Sequence, residues 1–98
     1  MVSNMAKLKK WNSIPVENEI ISILVKNRGE MLTSDLLRQL SNKYQDFTRT
    51  DLDQALFKLE VRSFIFVVSI KKDVSKVEIN PRGNFSHQIM AEIRKFTH

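Results

Sequence analysis

The sequence predicts a single α+β domain, mostly helical, in which three helices precede a two-stranded β-hairpin and a fourth helix follows it. Three observations support this prediction. Apolar residues recur at helical spacing through residues 15–60. After Glu60 the spacing changes to the alternation that is typical of strands, and after Gly83 the helical spacing returns. A length of 98 residues is enough for one domain and too short for two.

Composition excludes several classes of protein. The chain has no cysteine, so it can form neither a disulfide framework nor a thiolate metal site. Its apolar runs are too short to span a bilayer, and its N-terminus has lysines without the apolar segment of a signal peptide. We therefore expect a cytoplasmic protein with no membrane partner.

The formal net charge of +5 is concentrated at the two ends of the chain. Residues 1–28 carry +3 and residues 61–98 carry +4, whereas residues 29–60 carry −2. A basic protein is attracted to nucleic acid by an electrostatic effect that does not depend on base sequence. A solvated surface accounts for the same charge equally simply.

The first two segments are a basic arm and a helix. The arm covers residues 1–14 and has three lysines before Trp11; it either follows a nucleic-acid groove or is a frayed terminus with Trp11 packed on the domain. The helix is predicted from about Pro15 to Asn27, with Ser13 as its cap. Gly29 is expected to end it in a left-handed conformation.

A second and a third helix are separated by only three residues. Thr33 is expected to cap the second helix, over about 34–44, after a short apolar link that also fits a brief strand. The third helix covers 49–60 and begins with Thr48 and Asp51, which are spaced as a capping box. Two amphipathic helices joined by so short a turn are typical of a helix-turn-helix.

The period-two region after Glu60 predicts a β-hairpin. Phe64 to Ile70 alternates two sets of residues that are both apolar or small, and in the second strand Val77 and Ile79 are expected to point inward. The polar stretch 71–75 is expected to form the turn. Three lysines are predicted at the tip of the hairpin, namely Lys71, Lys72 and Lys76.

The last helix is predicted over residues 84–98 and carries one apolar stripe: Phe85, Ile89, Ile93 and Phe96. The stripe either packs back on its own domain or pairs with the same stripe of a second subunit. Small regulators commonly dimerise, since a two-fold protein matches a palindromic site. We therefore expect a homodimer.

The order of elements resembles the winged helix-turn-helix domains of small bacterial and archaeal transcriptional regulators. The resemblance covers residues 15–83 and lies in three stretches and an exit turn: Leu32–Leu37, Thr48–Leu59, Leu59–Ile65 and Ile79–Gly83. It implies a three-helix core, a two-stranded wing and an additional C-terminal helix. It also implies that helix 49–60 lies in a major groove of double-stranded DNA.

Helical geometry predicts which residues of that helix would face the groove. Thr50, Gln54 and Phe57 point away from the apolar side, and Lys58 flanks them. Gln54 suits adenine, and Arg49 suits guanine or a phosphate. Phosphate contacts are expected from the hydroxyls of Thr48 and Thr50 and from the lysines of the hairpin, Lys71, Lys72 and Lys76. Arg62 completes the predicted DNA-binding set.

A different function fits part of the same helix. Phe57 and Val61 place apolar surface on the outward face, which is typical of protein interfaces. The alternative is therefore a docking module in a transcription, replication or division complex. An enzyme is not expected, because neither His87 nor His98 has a partner at metal-ligand spacing and no glycine-rich phosphate loop exists. We predict no catalytic residue, metal or cofactor.

Overall fold

The computed structural model describes the backbone of residues 13–97 and the side chains of residues 16–96. Within that range the chain forms four helices and a three-stranded antiparallel sheet, which confirms the α+β prediction. The elements are α1 (Ser13–Lys26), β1 (Glu30–Leu32), α2 (Thr33–Lys43), α3 (Arg49–Val61), β2 (Ile65–Lys71), β3 (Val74–Ile79) and α4 (His87–Thr97). Residues 1–12 of the predicted basic arm, and His98, lie outside the described part.

The sheet has the order β1-β3-β2, so the hairpin gains a third strand from the short link before α2. Val77, at the centre of β3, pairs with Met31 of β1 on one side and with Val67 of β2 on the other. The side chains of Val77 and Ile79 are buried, as the alternation in this strand predicts.

One hydrophobic core joins the helices to the inner face of the sheet. Its largest fully buried side chains come from every helix and from β2 and β3: Val16, Ile20, Leu24, Leu36, Leu40, Leu52, Leu59, Ile65, Val77 and Ile93. The positions on the helices follow the three- and four-residue spacing of the sequence, because that spacing places side chains on one helical face. None of the helices within residues 13–97 is long and apolar enough to cross a membrane.

Two helices end with left-handed residues that are not glycine. After α1, the N–H of Arg28 donates to the carbonyl of Val25 and the N–H of Gly29 to that of Leu24, and both Arg28 and Gly29 have positive φ. After α3, Ser63 takes the same left-handed position. These are Schellman-type ends, in which the chain reverses while the last carbonyls keep hydrogen-bond partners.

The prediction that Thr33 caps α2 is wrong. Leu32 occupies the cap position in an extended conformation and makes no side-chain cap bond. Thr33 is instead buried inside the first turn, and its hydroxyl lies 2.8 Å from that of Ser75 on β3. The hydroxyl is thus used to join α2 to the hairpin, a contact between residues 42 positions apart that local spacing does not reveal.

The apolar stripe of the last helix packs inside its own domain. Ile93 is only 1% exposed, and Phe85, Ile89 and Phe96 are partly buried against the core. The ring of Phe85 lies 5.0 Å from that of Phe64, centroid to centroid. The stripe thus packs back on its own domain, which is one of the two alternatives that the sequence leaves open, and its side chains add to a small core.

Candidate functional site

The start of α3 is fixed by the capping box that the sequence predicts. The N–H of Asp51 donates to Oγ1 of Thr48 at 3.2 Å, and the N–H of Thr48 donates to Oδ2 of Asp51 at 2.9 Å. Thr48 Oγ1 also donates to the same carboxylate oxygen at 2.9 Å. The N–H and the hydroxyl of Thr48 are therefore both bonded to the Asp51 carboxylate, and the phosphate contact expected of Thr48 would have to replace these bonds.

The outward face of α3 is open to solvent, as the helical geometry predicts. Thr50, Gln54, Phe57 and Lys58 are all exposed. Together with Asp53 they line a shallow depression of about 350 Å³ on the helix surface. No other part of the described chain covers these side chains, so a macromolecule can contact them.

Arg49 lies in the first turn of α3, beside the hairpin. Its Nε donates to Oδ1 of Asp53 at 2.9 Å, one turn further along the helix, and both side chains are more than half exposed. Arg49 also lines a polar depression of about 230 Å³ together with Lys71 and Asp73 of the hairpin tip. The sequence predicted Arg49 and Lys71 as separate contacts, and the fold places them at the same small cleft.

The tip of the hairpin carries two exposed lysines, Lys71 and Lys72. The turn consists of Lys72 and Asp73, and Asp73 has a φ of 62°. An aspartate tolerates this left-handed conformation better than most residues. Neither lysine has an ion-pair partner among the described residues, so both ammonium groups remain available to an anion.

The predicted tip position of Lys76 is wrong. Lys76 pairs with Val68 in the middle of the hairpin, and its ammonium lies 3.0 Å from Glu78 and 3.2 Å from Glu30. Hydrogen bonds to these two carboxylates raise the pKa of Lys76 above its ordinary value of 10.5. Its charge is therefore neutralised on the outer face of the sheet, and the sequence misplaced it because the turn is shorter than the polar stretch 71–75.

Arg62 also lies apart from the other predicted DNA-binding residues. It caps the far end of α3, and its Nη1 donates to Oε1 of Glu17 on α1 at 3.4 Å. A helix of 13 residues is roughly 20 Å long, so this end is well removed from the hairpin tip beside Arg49. The fold thus does not bring Arg62 to the cleft that Arg49 and Lys71 line.

Exposed apolar side chains form two groups. Phe57 and Val61 are 65% and 66% exposed and lie one turn apart on α3, as the sequence predicts. The second group was not predicted and lies on the outer face of the sheet: Leu32, Phe66, Val68 and Ile70. Both sets of alternating residues in β2 are apolar or small, so the sequence alone did not show which set faces solvent.

No three histidine, aspartate or glutamate side chains in the described range come together as a metal site. The chain was also compared with protein-family models, curated proteins and solved structures, and no family model, curated protein or solved structure matches it.

Proposed function

We propose that this chain is a winged helix-turn-helix protein that binds double-stranded DNA and regulates transcription. One observation supports this most directly: the first turn of α3 lies beside an exposed, doubly basic hairpin tip, and Arg49 and Lys71 line the cleft between them. Such a pair of elements suits a helix in the major groove and a ribbon along the neighbouring phosphates.

In this proposal the residues have different roles. Gln54 reads a base edge, for which adenine is the matched partner, while Lys71 and Lys72 neutralise phosphates. Arg49 exchanges Asp53 for a phosphate or a guanine. That exchange costs little, because an exposed ion pair at this spacing is worth only about 0.3–0.5 kcal/mol. Thr48, Arg62 and Lys76 are left out of the contact surface, since each is engaged elsewhere in the domain.

A homodimer belongs to the same proposal. A two-fold protein matches a palindromic DNA site and doubles the contact area. Ile93 of the α4 stripe is buried in its own domain, so in this proposal it is not part of the dimer surface.

The experiment is a gel-shift titration of the full chain on a random-sequence duplex at two salt concentrations. We expect the logarithm of the binding constant to fall linearly with the logarithm of salt, with a slope of about 0.9 per phosphate contact. Binding that is absent at low salt, or that does not weaken as salt rises, contradicts the proposal. The observed slope also gives the number of phosphates contacted, which the hairpin tip and Arg49 together should account for.

A second function is favoured by a specific observation, the exposure of Phe57 and Val61 on the same face of α3. Apolar residues at the centre of a face are typical of protein interfaces. In this alternative the chain is a docking module of a transcription, replication or division complex. The partner's apolar side chains would then cover α3, and the lysines of the hairpin tip would lie at the rim of the interface.

The variant Phe57→Ala separates the two functions. If α3 reads DNA, duplex affinity changes only a few-fold, because the affinity comes mainly from phosphate contacts. If α3 docks to protein, the chain binds random duplex no better than a solvated basic surface does, and Phe57→Ala abolishes the complex with the partner. Phe66→Ala is the matched control, since it removes an exposed phenylalanine from the sheet instead of from α3.

A further inference from the structure

A cavity of about 390 Å³ lies between α1, the end of α3 and the segment that leads into α4. Its walls include Glu17, Ile21, Arg62, Phe64 and Phe85. This volume is at the lower end of the range for small-molecule sites. The cavity is at the opposite end of α3 from Arg49, so it is separate from the face proposed to bind DNA.

Glu17 is the buried carboxylate among the described side chains, with only 5% of its surface exposed. Removing a carboxylate from water is costly unless other groups replace the lost hydrogen bonds. Within the described residues its one contact is from Arg62 to Oε1. The second oxygen, Oε2, receives no hydrogen bond from the described residues, which leaves acceptor capacity for a donor in the cavity that Glu17 lines.

The contact with Arg62 is long for a charged pair. The distance of 3.4 Å exceeds the 2.7–2.9 Å of strong charge-assisted bonds, and it joins one guanidinium nitrogen to one oxygen. The ion pair between Arg38 and Asp35, by comparison, measures 2.7 Å. Arg62 is also 62% exposed, so its guanidinium is mostly hydrated, and another cation that enters the cavity can take its place beside Glu17.

The wall beside this carboxylate is aromatic and aliphatic. Phe64 and Phe85 have ring centroids 5.0 Å apart and planes inclined by 30°. Ile21 and Leu59 are buried and add aliphatic surface. A buried carboxylate next to phenylalanine rings suits a cation with an apolar body, because the charge pairs with the carboxylate while the rings attract both the cation and its hydrophobic part.

We propose that this cavity binds an organic monocation with an aromatic body, such as an arylalkylammonium ion, with Glu17 as its counter-ion. The ammonium replaces Arg62 as the partner of the carboxylate, so the pairing at Glu17 stays balanced in charge. The aromatic body lies against Phe64 and Phe85. This inference does not depend on whether the chain binds DNA.

The probe is benzylammonium chloride, titrated into the full chain at neutral pH and followed by amide NMR shifts. We expect saturable shifts centred on Glu17, Phe64 and Phe85. Benzyl alcohol is the matched neutral control, since it has the same ring and no charge. Benzyl alcohol should bind at least about tenfold more weakly than benzylammonium, because it cannot form a hydrogen bond in which both partners are charged.

Two variants test the role of the carboxylate. Glu17→Gln keeps the shape of the side chain and should weaken benzylammonium binding about tenfold or more. Arg62→Gln removes the competing cation and should strengthen binding. Arg62 is largely exposed and a glutamine amide at this position can still donate to Glu17, so we expect this second variant to fold, and its result is decisive even if Glu17→Gln does not fold.

Three results would overturn the proposal: no saturable shift with benzylammonium, equal affinity for benzyl alcohol, or unchanged or weaker binding by Arg62→Gln. The first means that the cavity takes no such ligand. The second means that it selects for the ring alone, and the third means that Arg62 does not compete for the carboxylate.

Discussion

Thr48 and Asp51 are joined by reciprocal hydrogen bonds of 3.2 and 2.9 Å between the backbone of each and the side chain of the other. The pair satisfies two backbone donors at the start of α3 and places a negative charge at the positive end of the helix. The pair thereby stabilises the beginning of the helix that carries Gln54 on its exposed side, while the buried Leu52, Ala55, Leu56 and Leu59 hold the opposite side against the core.

The first prediction concerns this cap. Thr48→Ala should lower the free energy of unfolding by about 1 kcal/mol, because it removes the acceptor for the N–H of Asp51. Urea unfolding measures the change. Thr50→Ala is the matched control, since Thr50 is an exposed threonine two residues later in the first turn of α3. Its free energy of unfolding should stay within about 0.5 kcal/mol of that of the original chain. Equal losses in the two variants would show that the capping box adds nothing to stability.

The second prediction concerns the hairpin tip. Replacing Lys71 and Lys72 together by alanine should weaken binding to all duplex sequences and reduce the salt slope by about one for each lost phosphate contact. Gel shifts at several salt concentrations measure both effects. The control is Lys26→Ala with Arg82→Ala, which removes the same charge from exposed positions away from the tip. If both double variants lose the same affinity, only net charge matters and the hairpin has no specific role.

The third prediction concerns base reading. Gln54→Ala should reduce discrimination between the preferred site and a mismatched site by about 1–3 kcal/mol and leave binding to random duplex nearly unchanged. Competition gel shifts with a selected site and a random duplex measure the two quantities. Gln88→Ala on α4 should change neither. A loss of the same size on both duplexes would assign Gln54 to backbone contact or to the fold.

The fourth prediction concerns alkaline pH. Burial raises the pKa of Tyr44 above its usual value of 10.0, and Glu19 adds to the effect. The folded protein therefore keeps the phenol protonated at a pH where the unfolded chain ionises. It follows that stability is fully present below the usual pKa and falls as pH rises from there through the raised pKa of the folded state.

Tyr44 is the chain's one tyrosine, so tyrosinate absorbance measures its pKa directly. Urea unfolding at increasing pH should show a steeper loss of stability for the original chain than for Tyr44→Phe, which has no phenol to ionise. Lys76 also has a raised pKa, owing to hydrogen bonds with two carboxylates, and it contributes equally in both chains. The pKa of Lys43 is raised mainly by its hydrogen bond to Glu19, and the smaller effect of the Tyr44 charge on Lys43 is absent from Tyr44→Phe. A phenol that titrates at or below 10.0 in the folded protein would contradict this account.

Local features of the fold were predictable because they depend on residues close together in the chain. The capping box at Thr48 and the change to period two after Glu60 both follow from neighbouring residues, and both are present. The outward face of α3 follows from 3.6-residue geometry alone, and its exposed residues agree. These features are the ones on which the proposed DNA-binding face depends.

Features that depend on distant residues were not predictable in the same way. The hydroxyl of Thr33 bonds to Ser75, and the guanidinium of Arg62 bonds to Glu17, across 42 and 45 positions of sequence. Local sequence patterns predicted Thr33 as a helix cap and Arg62 as a DNA contact, whereas both side chains bond to residues that are distant in the sequence. Lys76 was misplaced for a related reason, since the register of a hairpin is set by its turn and the turn needs only Lys72 and Asp73.

The outer face of the sheet has a consequence for how the protein behaves in concentrated solution. β2 lies at the edge of the sheet, and Phe66, Val68 and Ile70 are exposed along it, while a bulge and the charge of Lys71 come only at its end. The earlier part of such an edge strand is a template for pairing with another chain. We therefore expect repulsion between positively charged molecules to contribute to colloidal stability, and salt that screens this repulsion to favour association through β2.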